Sequence, residues 1–101
     1  MAELTPRQRA VLRSLAQSIK PILQIGKDGV TDALAQSVGS ALSARELLKV
    51  KVLETAPGSA QELAEALVAH VPDAQLVQVI GRTIVVFRRN PEKPEITLPS
   101  V

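Results

Sequence analysis

The amino-acid sequence predicts an α/β domain in the broad sense, a two-layer α+β-like arrangement with a mixed four-stranded sheet. Three observations lead there. Helix-start signals at Thr5, Thr31 and Ser59 each precede apolar residues at helical spacing. Short apolar runs suited to strands follow all three segments. The glycine-led pair Gly81-Arg82 divides the last apolar stretch into two halves, as in a tight hairpin. The order is α-β-α-β-α-β-β, and right-handed crossovers then give parallel pairing across the helices and a closing antiparallel hairpin.

Thr5-Pro6-Arg7-Gln8 opens the first helix, with Thr5 as N-cap, Pro6 at the first helical position and Gln8 placed to reach back. Val11, Leu12, Leu15, Ala16 and Ile19 form its core-facing stripe, with Arg9 and Arg13 on the edge. Lys20-Pro21 stops it, because a residue before proline is pushed toward extended geometry. Ile22-Leu23-Gln24-Ile25 then reads as a buried strand.

Beyond Gly26-Lys27-Asp28-Gly29, Thr31 caps a second helix with Leu34, Val38, Ala41 and Leu42 on one face, running to about Ala44. Period-two alternation in Leu48-Lys49-Val50-Lys51-Val52 gives the next strand one dry face and one basic face. Pro57-Gly58 turns the chain, and the capping box Ser59-Ala60-Gln61-Glu62 opens an acidic third helix with Leu63, Leu67, Val68 and Val71 inward. Val71-Pro72 closes it. Residues 75–80 and 83–87 form the hairpin strands. One domain is expected over residues 1–90. Residues 91–101, with three prolines, make a tail without helix, in which Ile96-Thr97-Leu98 can dock as an extended segment.

With 46% apolar residues in 101, one core is feasible. There is no cysteine, no apolar run long enough for a bilayer, and no basic-then-apolar leader after Met1, so a cytoplasmic location without a membrane partner is expected. Charge is segregated. Residues 1–53 carry eight bases and four acids, residues 54–81 four acids and no Lys or Arg, and residues 82–101 four bases and two acids. Such a chain can present one positive face, the layout of a polyanion binder. Phe87 is the only aromatic residue, so stacking platforms for bases are nearly excluded, and structured RNA read through phosphate and ribose is favoured over a single-stranded code.

Catalytic constellations are lacking. His70 is the only histidine and sits near the end of the acidic helix, where helping the helix terminus is its simplest role. Glu62 and Glu65, three apart, read as a solvated face. The feature with a mechanism is Gly26-Lys27-Asp28-Gly29: it links a strand to a helix N-terminus, whose unpartnered amides and dipole attract phosphate. Its glycines admit a close backbone and Lys27 adds charge, while Asp28 opposes it. The plainer alternative is a strand-to-helix turn that needs glycine, with Asp28 as a cap.

Four blocks occur in linked order: Lys20-Pro21; Ile25-Gly26-Lys27-Asp28-Gly29-Val30-Thr31; Glu46-Leu47-Leu48-Lys49-Val50-Lys51; and Gln78-Val79-Ile80-Gly81-Arg82-Thr83-Ile84-Val85-Val86-Phe87-Arg88. Over about residues 4–88 the chain resembles the CRM domain, named for chloroplast RNA splicing and ribosome maturation, in its stand-alone bacterial YhbY-like form. The resemblance implies an RNA-binding domain associated with precursor large ribosomal subunits and a GxxG loop analogous to that of KH domains. It also implies a fold similar to the C-terminal domain of the translation initiation factor three family. Val30 stands where the family often has leucine, Arg82 where lysine is common and Phe87 where tyrosine is common.

The expected function is binding of precursor large-subunit ribosomal RNA or pre-ribosomal particles in ribosome assembly, by a monomer, without catalysis, cofactor or metal. The expected RNA-contacting residues are Gly26, Lys27, Asp28 and Gly29, with Arg9, Arg13, Lys20, Lys49, Lys51, Arg82 and Arg88 around them. The competing expectation is a protein-interaction module that docks its apolar hairpin or acidic helix on a ribosomal protein or assembly factor.

Overall fold

The computed structural model describes residues 3–100. Its elements are α1 (Pro6–Ala16), β1 (Pro21–Ile25), α2 (Asp32–Arg45), β2 (Leu47–Val52), α3 (Ala60–His70), β3 (Gln75–Ile80) and β4 (Thr83–Phe87). The local chemistry accounts for each helix start. Thr5 and Ser59 form complete capping boxes with Gln8 and Glu62, and the Thr31 hydroxyl accepts the Leu34 N–H at 3.1 Å.

α1 ends at Ala16, earlier than Lys20-Pro21 alone predicts. The N–H groups of Gln17, Ser18 and Ile19 bond three residues back, so the helix tightens into a turn before the proline. Leu15, still within α1, is 44% exposed, although its spacing predicts a core position.

The sheet order is β1-β2-β4-β3. β1 pairs parallel with β2 across α2, while β4 is antiparallel to both β2 and β3. β3 therefore also runs parallel to β2, with β4 between them. The central position of β4 explains why Ile84, Val85, Val86 and Phe87 are all buried, on both faces. β1 is an edge strand of which only Ile25 is buried, so the expectation of a buried strand is corrected.

α2 and α3 cover one face, where Ile25, Val38, Leu42, Val50, Leu67 and Ile84 belong to the main cluster. This is the expected two-layer core. A second cluster lies on the other face, where Leu12 and Ala16 of α1 meet Leu47, Val77, Val85 and Phe87, joined by Ile96 and Leu98 of the tail. α1 and the tail thus add a partial third layer over one part of the sheet.

The tail is held by Glu46, which is 2% exposed and adopts φ +61° at the end of α2. Its carboxylate accepts the N–H groups of Asn90 at 2.7 Å, Glu95 at 2.8 Å and Ile96 at 2.9 Å. Gln8 adds a bond from its side-chain amide to the Pro99 carbonyl at 2.8 Å. The tail thus docks on Glu46, the sheet and α1 through Glu95, Ile96, Leu98 and Pro99, and residues 91–100 contain no helix.

Candidate nucleic-acid interface

Alternation along β2 directs Leu47, Lys49 and Lys51 to the face that carries α1. Leu47 is buried beneath α1 and the tail, Lys49 is half-buried and Lys51 is exposed, so cover ends part-way along the strand. Lys49 lies opposite Pro21, which follows exposed Lys20, and Lys51 is flanked by Gln24 on β1 and Thr83 on β4. Lys49 and Lys51 thus share the open face of β2, and Lys20 lies one residue before Pro21, the β1 partner of Lys49. Among the described residues, no carboxylate forms an ion pair with these lysines or with Lys27.

Loop 26–29 leaves the end of β1 as a turn closed by the Gly29 N–H on the Gly26 carbonyl at 3.0 Å. The two glycines differ. Gly29 is buried at φ +68°, and a Cβ there would stand 3.2 Å from Cγ of Pro57, so the fold itself demands glycine. A Cβ on Gly26 would meet only the Leu53 side chain, at an ordinary 3.8 Å, so packing makes no such demand there. Lys27 and Asp28 are exposed at the tip, and Thr31 rather than Asp28 caps α2.

Arg82 stands at the same end of the sheet. Its backbone carbonyl accepts the Val52 N–H, and its guanidinium donates to the carbonyls of Val52, at 3.0 Å, and Leu53. The Leu53 N–H in turn donates to the Ile25 carbonyl at 2.9 Å, so one residue of β2's exit separates Arg82 from the start of the loop.

The other arginines lie elsewhere. Arg9 donates to the Leu76 carbonyl and, at 2.8 Å, to that of Val77, where a bulge interrupts the β3 ladder. Arg88 donates to the Gly39 carbonyl at 2.6 Å, the Ser43 hydroxyl at 2.9 Å and the Pro72 carbonyl at 3.1 Å, tying α2 to the chain after α3. Arg13 is exposed in the last turn of α1. The fold therefore sets Lys49 and Lys51 on one face with Lys20 beside the edge strand, places loop 26–29 and Arg82 at one end of that surface, and leaves Arg9 and Arg88 bracing the backbone. Gln24 and Thr83 join the surface through strand register, for which the sequence carries no local signal.

The acidic helix is built as a solvated face. Glu62 is engaged in the Ser59 capping box, whose backbone and hydroxyl bonds hold its pKa below the ordinary carboxylate value. Glu65 accepts from the Gln61 amide at 2.9 Å, and Nδ1 of exposed His70 lies 2.8 Å from the Ala66 carbonyl. No group of three or more His, Cys, Asp or Glu suited to a metal occurs among the described residues. No described helix is long and apolar enough to cross a membrane.

The family profile of the CRS1/YhbY (CRM) domain matches residues 4–88. This chain belongs to the CRM family. Among relatives, the CRM chain is 45% identical over 96 residues to a Bacillus subtilis protein named "Probable RNA-binding protein YqeI", covering 95% of this chain and 99% of that one. It is 33% identical over 99 residues to an "RNA-binding protein" of Haemophilus influenzae, covering 98% of each. In three dimensions the CRM domain is similar to the solution structure of the Staphylococcus aureus protein SAV1595. The TM-score is 0.80 at 44% identity, over 96% of this chain and all of that one.

Proposed function

We propose that this CRM domain binds structured RNA across the half of its sheet that α1 leaves open, with loop 26–29 against the sugar-phosphate chain. The supporting observation is the open face with Lys49 and Lys51, adjoined by exposed Lys20, whose lysines no carboxylate pairs among the described residues and which ends at a glycine loop. Phosphates meet these lysines and Lys27. Gly26 lets the backbone approach, and Arg82 completes the end of the surface with the guanidinium donors its carbonyl bonds leave over. Asp28 lowers the charge at the tip and favours ribose hydroxyls there over a phosphate. Arg9 and Arg88 support the scaffold, and Arg13 lies outside the lysine surface.

The RNA we propose is precursor large-subunit ribosomal RNA, met by a cytoplasmic monomer during ribosome assembly without catalysis or cofactor. The relatives' names support RNA as the ligand, and the large-subunit assignment rests on what the family resemblance implies. Binding of wild type, Lys27→Glu and Lys49→Glu to a large-subunit precursor fragment, against an unrelated duplex of equal length over a salt series, tests it. Preferential, salt-sensitive binding that weakens in both variants is expected. Equal binding by all three proteins to both RNAs overturns it.

A further inference from the structure

Among the described residues three large apolar side chains are exposed, Leu15, Ile22 and Ile80, and two of them meet at one place. Leu15 is 44% and Ile22 41% exposed, and both line an open groove of about 680 Å³ between the end of α1 and the start of β1. Ile19 and Leu47 also line it, and the tail supplies a wall through Glu95 and Ile96, the residues whose N–H groups Glu46 holds. The wall is therefore set by hydrogen bonds to a buried carboxylate.

We propose that this groove receives an unpaired nucleobase of the bound RNA, packed between aliphatic side chains. The inference rests on the RNA reading above and deepens it. Two observations select a base as the occupant. Lys20 and Arg45 line the groove, two cations placed for the phosphates flanking a displaced nucleotide. The groove also opens directly onto the lysine surface: Lys20 and Ile22 line both it and the adjoining depression that contains Gln24 and Lys51. A strand that crosses Lys51 thus passes its mouth. Glu95 is the one acid on the lining; it opposes a phosphate there but can accept an N–H from a base edge.

The occupant's contact is aliphatic because the groove lining holds no aromatic side chain, and Phe87, the only Phe, Tyr or Trp, is 2% exposed in the second cluster. Ile22 and loop 26–29 lie at opposite ends of β1, roughly 15 Å apart by strand rise. The domain thus recognises a paired segment at the loop and an unpaired nucleotide at the groove.

Two hairpin RNAs of equal length test this, one fully paired and one with a single bulged 2-aminopurine. Wild type is expected to bind the bulged RNA about tenfold more tightly, with a change in 2-aminopurine fluorescence. Ile22→Thr and Leu15→Ser, both at exposed positions, keep affinity for the paired hairpin and lose preference and fluorescence change. Lys27→Glu weakens binding to both RNAs and keeps their ratio. Equal affinity of wild type for the two hairpins, or a preference that survives both groove substitutions, overturns the inference and leaves the RNA reading standing. Failure of wild type to bind either RNA overturns both.

Discussion

The carboxylate of Glu46 accepts the backbone N–H of Ile96 at 2.9 Å, joining residues 50 positions apart. Burial raises the Glu46 pKa, but the N–H groups of Asn90, Ile96 and Glu95 and the charge of Arg89 outweigh it, and the net shift is downward from 4.5. Three donors on one anion also hold a non-glycine residue at φ +61°.

Glu46→Ala keeps the strained backbone and loses the anchor, and is expected to cost about 2–3 kcal/mol in denaturant melts. The pH dependence follows from the sign of the shift. A carboxylate with a lowered folded pKa contributes stability that is present above its unfolded value of about 4.5 and lost as pH falls through the folded value. Wild type should lose stability through that acid window, and Glu46→Gln should show a smaller loss there. Parallel pH profiles for the two proteins would contradict it.

Ile96 and Leu98 are half-buried against the second cluster, so Ile96→Ala and Leu98→Ala should each cost about 1 kcal/mol. The check is urea melts of both variants, with tail amides that exchange faster than those of β4. Wild-type stability in both would mean that the tail does not pack against the sheet in solution.

The two loop glycines should part company on substitution to alanine. Gly29→Ala meets both positive φ and Pro57, and should lose about 1–2 kcal/mol of stability. Gly26→Ala has room and should fold with near wild-type stability while losing RNA affinity, if the sugar-phosphate chain approaches there. Thermal melts beside RNA titrations separate the two effects.

Lysines on the open sheet and the bracing arginine should also respond differently. Lys51→Glu should leave the melting temperature unchanged and reduce the slope of log affinity against log salt by about 1. Arg88→Ala releases Gly39, Ser43 and Pro72 and should cost about 2 kcal/mol of stability, with RNA affinity of the folded protein preserved. A binding defect in Arg88→Ala equal to that of Lys51→Glu would place Arg88 on the RNA.

What the sequence by itself determined is local. Thr5, Thr31 and Ser59 start helices because a side-chain oxygen bonds an amide three residues on. Lys49 and Lys51 share a face because strands alternate, and Gly81 at φ +58° turns the hairpin. The family blocks were legible for the same reason, as fixed spacings along one chain. Tertiary structure alone decided that β4 lies between β2 and β3, that β1 is an edge, and that Arg9 and Arg88 spend donors on distant carbonyls. It likewise decided that Leu15 is exposed and that Glu46 anchors the tail. Each of these depends on which surfaces meet across tens of residues, and hydrogen-bond and packing partners at that separation leave no periodic trace in the sequence around either residue.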